Sequence, residues 1–140
     1  MNKEEKFVLP AEKMEIKDCI ENAYEIAKKN GAYERPLNFG ESLMLIVSEL
    51  SEALEADRDE KWLGNDRENY EWLITESELK ADFKNWYECN IKGTVEDELA
   101  DVAIRLFALA GRYRVDLEYF IKTKMEYNKT RPYKHGRSYL

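Results

Sequence analysis

Two short runs, Glu49-Leu50-Ser51-Glu52 and Glu98-Leu99-Ala100-Asp101, each set two carboxylates three residues apart. On a helix, residues at that separation are neighbours on one surface. At about 100° per residue, each pair falls along one edge of the apolar stripe of its own helix. If the two stripes pack together, Glu49, Glu52, Glu98 and Asp101 converge. Four carboxylates in a partly buried site repel one another strongly, so they persist only with a cation bound or with some protons retained. A donor set made only of oxygen suits Mg²⁺ or Mn²⁺ rather than Zn²⁺. The same spacing also occurs on solvated helix faces, and Asp101 has an alternative partner in Arg105, four residues on.

A second constellation lies downstream. Lys124, Asn128 and Arg131 fall within about 40° of the direction of Leu117 and Ile121, on the face expected to point inward. Polar groups on an inward face need partners. A phosphate chain supplies them, with lysine as a point charge, asparagine as an amide donor and arginine as a forked donor. Lys134, His135 and Arg137 either extend this surface or form an ordinary solvated terminus. The net charge of −7 argues against broad binding to nucleic acid or anionic membrane, both of which need a positive field. An anionic substrate therefore needs local cations.

The elements that must position these groups are helical. Helix formers dominate, punctuated by Pro10, Pro36 and Pro132 and six glycines. The spacing predicts a first helix from about Ala11 to Asn30, with Ile16, Ile20, Ala23 and Ala27 on one face and Gly31 as its stop. A second runs from about Gly40 to Asp59, and Leu43, Ile46, Val47, Leu50, Ala53 and Leu54 form its expected buried stripe. Thr94 and Asp97 resemble a capping box opening a third helix that reaches Tyr113 with Leu99, Val102, Leu106, Leu109 and Ala110 along it. Asp116 caps a fourth, ended near Thr130 by Pro132. Between the second and third, about residues 60–93, an insertion carries Gly64-Asn65-Asp66 as a turn and one or two short helices. The expectation is one all-α domain over residues 1–140: a four-helix core, a helical or irregular insertion and a basic tail from about 131. Glu41, Glu55 and Asp97 are read as solvated or capping. No run approaches the roughly 20 apolar residues of a membrane span, and none has signal-peptide character, which points to a cytoplasmic protein with Cys19 and Cys89 as reduced thiols.

The ordered set of Glu49-x-x-Glu52, Glu98-Leu99-Ala100-Asp101-Val102, Lys124-x-x-x-Asn128-x-x-Arg131 and Tyr133-Lys134-His135-Gly136 resembles the MazG-like all-α nucleotide pyrophosphohydrolases, relatives of the dimeric dUTPases. The resemblance covers about Gly40 to Gly136 apart from the insertion. It implies that the four acids bind Mg²⁺ (Mn²⁺ as a possible substitute), that Lys124 and Asn128, with Arg131, contact a nucleoside triphosphate, and that cleavage between the α and β phosphates yields monophosphate and pyrophosphate. It also implies a homo-oligomer, dimer or tetramer, whose sites can borrow residues from a neighbour. Apolar Phe39, Met44, Leu45, Ile104 and Phe107, lying off the main stripes, agree with a second packed neighbour. The insertion is longer than in the shortest members and leaves base choice open, including a dUTP- or dCTP-selective enzyme. Trp62, Trp72, Trp86 and Tyr87 there either stack on a base or fill a satellite core or interface. A catalytically silent nucleotide-binding or interaction module is the rival from another class. A di-iron bundle fits less well, since it calls for Glu-x-x-His pairs and the one histidine is His135.

Overall fold

The structure, a computed structural model, describes residues 14–35, 37–64 and 83–133. All regular secondary structure among them is helical: α1 (Ile16–Lys29), α2 (Phe39–Arg58), α3 (Phe83–Asn90), α4 (Val95–Arg112) and α5 (Leu117–Lys129). The ends of α2, α4 and α5 lie within a residue or two of the expected positions, because capping chemistry fixes them. Asn38 Oδ1 accepts from the Glu41 N–H at 2.9 Å and the Glu41 carboxylate accepts from the Asn38 N–H at 2.8 Å, a reciprocal cap for α2. The Thr94 hydroxyl accepts from the Asp97 N–H at 3.3 Å and Asp116 accepts from the Tyr119 N–H at 3.1 Å. After α1 the chain reverses through Gly31 at φ +82°, a conformation that side chains strain to adopt. The expected start of α1 near Ala11, and Asn65 and Asp66 of the expected turn, lie outside the described residues.

Helix α4 is the central element, packed along α1 and α2, while α5 leans on α1. Helices α2 and α4 run antiparallel. Phe39 at the start of one meets Tyr113 at the end of the other, edge to face at 5.1 Å. At the opposite end the Val95 N–H donates to the Lys61 carbonyl at 3.0 Å. The arrangement is all-α, and α1, α2, α4 and α5 with α3 in the intervening segment are compatible with a four-helix core and insertion. No helix among the described residues is long and apolar enough to cross a membrane.

The core corrects the expected stripe of α2. Ala53 is buried and Ile46 half-buried, but Leu43, Val47, Leu50 and Leu54 are 41–49% exposed. What α2 buries instead is Glu49, Ala53 and Ala56, facing an α4 whose own buried set includes Ala108, Leu109 and Ala110. Leu99 and Leu106 of α4, and Tyr113 that follows it, are exposed as well. Periodicity identifies an apolar face but not the neighbour it meets, and here the alanine edge allows the close approach within the chain. Helix α4 also lies close against α1 at Gly111, where an added Cβ would lie 2.7 Å from Tyr24 Cβ. Gly111→Ala should therefore push α1 from α4 and lower stability by about 1–3 kcal/mol. Urea unfolding of the two proteins measures this, and an unchanged midpoint would contradict the close packing.

Candidate metal centre

Three of the four expected acids converge. Single carboxylate oxygens of Glu49 on α2 and of Glu98 and Asp101 on α4 lie within 4.8 Å of one another. Glu49 and Glu98 are buried, at 7% and 8% exposed, so they are not members of a solvated helix face. Several contacts fix the first turn of α4 against the end of α2. Besides the Val95 link, the Glu96 carboxylate accepts from the Leu63 and Gly64 N–H groups at 3.1 Å. Glu52 is exposed and outside the trio, although its charge reaches Glu98 and Asp101.

Burial, first, and then the charges of Glu52, Asp97, Asp101 and Glu49 push the Glu98 carboxyl above its ordinary value of 4.5. Asp101 is pushed above 3.8 by burial and by Asp97, Glu49 and Glu52, with Arg105 opposing. The alternative partner considered for Asp101 is committed elsewhere: the Arg105 guanidinium Nε donates to Glu49 Oε1 across the helix interface. Glu98 Oε2 is buried and has no hydrogen-bond partner among the described residues. A buried carboxylate oxygen left without a donor, in an all-oxygen trio, fits Mg²⁺ or Mn²⁺.

Asp97 takes the capping role of the two expected for it: its N–H donates to Thr94, and its buried side chain accepts from the Gly93 N–H at 2.9 Å and from the Tyr87 hydroxyl. Burial and the Asp97 carboxylate raise the Tyr87 pKa well above the usual phenol value, so it remains a protonated donor. Tyr87 thus belongs to an aromatic cluster with Phe83 and Trp86 that seats α3 beside the acids. The Trp62 indole N–H donates to Asp57 at 3.0 Å, and Trp72 lies outside the described residues.

The expected anion-binding face of α5 is not brought to the acids within this chain. Lys124, Asn128 and Arg131 are exposed rather than inward, because α5 leans on α1 and this face meets no other helix among the described residues. The Lys124 ammonium sits 4.6 Å from the Tyr127 ring centre and lines a groove with Leu117, Phe120 and Ile121. Lys134, His135 and Arg137 lie outside the described residues. Other cations share recesses with members of the trio. Asp101 borders two recesses: a cavity of about 290 Å³ between α1, α2 and α4 that also takes in Glu49, Arg105 and Arg112, and a groove between α3 and α4 with Lys84 and Lys92. Arg105 was legible as a helical neighbour of Asp101. Its pairing with Glu49 across two helices, and the placement of Lys84, Lys92 and Arg112, were not.

Comparison of the chain with family models, with curated proteins and with solved structures gives no match.

The raised carboxyls set a pH dependence for the metal-free protein. A carboxyl whose folded pKa exceeds its unfolded one stabilises the fold below the unfolded value, and that contribution is lost as pH rises through the folded value. Glu98→Gln mimics the protonated form at every pH. The melting temperature of this variant should exceed that of the wild type by a margin that widens from about pH 5 to about pH 8, while its Mn²⁺ affinity falls at least about tenfold. Glu55→Gln, exposed on α2 and outside the trio, should change stability by less than about 0.5 kcal/mol. A margin that narrows with rising pH, or full Mn²⁺ affinity in Glu98→Gln, would remove Glu98 from the site.

Proposed function

We propose that this chain is a MazG-like, Mg²⁺-dependent nucleoside triphosphate pyrophosphohydrolase that cleaves between the α and β phosphates. The observation that carries the reading is the converged trio of Glu49, Glu98 and Asp101 with a buried, unpartnered Glu98 oxygen. These three side chains would hold the metal, and the ordered motifs supply the family reading. When bound, Mg²⁺ supplies charge neutralisation at phosphate oxygens and makes a bound water more acidic. Glu52, exposed and outside the trio, would serve as the base that takes the proton of the attacking water. Water adds at the α phosphorus, the bond to the bridging oxygen breaks, and pyrophosphate leaves. Arg105 holds the direction of Glu49, as a supporting partner does for a ligand carboxylate. Lys84 and Lys92 share a groove with Asp101 and attract the polyphosphate as point charges.

The reading includes an oligomer. Leu43, Val47, Leu50 and Leu54 recur at heptad-like spacing on the exposed edge of α2, and Leu99 and Leu106, one heptad apart on α4, are exposed as well. An apolar seam shared by two helices suits a second copy of the chain. In such an assembly the exposed Lys124, Asn128 and Arg131 of one subunit contact the triphosphate held by the acids of another.

Two measurements test this. Incubation with triphosphates and Mg²⁺ should release pyrophosphate, and removal of the metal should abolish the release. Orthophosphate as first product, or activity that survives exhaustive chelation, would end the proposal. Light scattering should give at least a dimer, and Leu50→Glu, which sets a charge in the seam, should shift it toward monomer. A wild type that is monomeric at high concentration would exclude the shared site.

A further inference from the structure

Of the two recesses that border Asp101, the one between α1, α2 and α4 has the walls of a small-molecule pocket. Ala23 and Ala27 of α1, Leu45 of α2 and Ile104 and Ala108 of α4 make its sides apolar, and the alanines leave the room. Its volume of about 290 Å³ lies near the lower end of ligand pockets. Its charged groups divide between two ends. Glu49, Asp101 and Arg105 form one end, and Arg112, with Tyr33, forms the other. Asp101, Arg105 and Arg112 follow a single face of α4, and the first and last are separated by about 16 Å along the axis. A ligand that fills this space bears metal-binding oxygens at one end and a largely apolar body with a polar edge at the other.

The far end is specific about that edge. The Arg112 guanidinium carbon lies 5.2 Å from the Tyr33 ring centre and 5.5 Å from that of Tyr113. Ring faces engage the charge of a guanidinium but do not accept its five in-plane N–H bonds, and arginine has no acceptor to offer. An edge that meets it favourably carries acceptors, as the carbonyl and N7 of an oxopurine do. An amino group in the same place sets donor against donor and leaves both unsatisfied. The second recess, with Lys84 and Lys92, suits phosphate instead.

We propose that the cavity between α1, α2 and α4 is the nucleobase pocket, and that Arg112 selects bases carrying a carbonyl over bases carrying an amino group at the same ring position. The inference rests on the pyrophosphohydrolase reading and adds to it the class of base. Inosine against adenosine, and uridine against cytidine, are matched pairs that differ at that position.

The test measures binding of non-hydrolysable α,β-imido triphosphates of these nucleosides to the full chain by calorimetry with Mn²⁺. The carbonyl member of each pair should bind at least about tenfold more tightly, as expected when a donor faces an acceptor instead of another donor. Arg112→Gln, whose amide both donates and accepts, should bring the ratios close to one with Mn²⁺ affinity unchanged. Equal binding of the pairs by the wild type, or no binding of any analogue, overturns the proposal. So does an Arg112→Gln variant that weakens both members equally, which is the behaviour of a phosphate contact. The expected base order without pyrophosphate release from hydrolysable inosine triphosphate would sink the hydrolase reading and leave the pocket standing.

Discussion

The rest of the structure is arranged around acidic side chains held where acids do not favour being. Glu49, Glu98 and Asp101 face one another at the contact of α2 and α4, with Glu52 and Asp97 close enough to raise their neighbours' proton affinity. Among the described residues the Arg105 guanidinium stands against them through Glu49. Mutual repulsion at this depth opposes the packing of the two helices, so other interactions must hold the helices together. Alanines on the facing surfaces, the edge-to-face contact of Phe39 with Tyr113 and the main-chain bond from Val95 to Lys61 do so on either side of the charged patch. Held against repulsion in this way, the acidic oxygens are positioned by the packing of the helices alone.

Helix α2 shows how one element serves two neighbours. Its alanine edge packs inward and carries Glu49 with it, while its leucine edge is exposed. Small residues allow axes to come close, and bulky residues on the adjoining edge would hold them apart. The division therefore follows from side-chain size. It aims the acid inward and leaves leucine and valine exposed on the adjoining edge.

The insertion is tied at both of its described ends to the first turn of α4. On the incoming side Glu96 holds the Leu63 and Gly64 amides. On the outgoing side Asp97 holds the Tyr87 hydroxyl and the Gly93 amide. The segment between these clamps can vary in length at a closure cost that grows only slowly with its size.

The sequence by itself determined the helices and the pairing of acids on them, because these depend on contacts within one or two turns. Asn38, Thr94 and Asp116 cap the free amides next to them, and the spacing of Glu98 and Asp101 fixes their shared edge wherever the helix lies. Tertiary structure alone decided which face of α2 is covered, that Glu52 stands outside the trio, that Asp97 is buried under Tyr87, that Arg105 reaches Glu49 rather than Asp101, and that the Lys124 face of α5 is left open. Each of these depends on the distance and rotation between helices far apart in the chain. A periodic pattern gives the direction of a side chain about its own axis, whereas depth and partner depend on how closely two axes approach, and that is set by side-chain volumes summed across the interface.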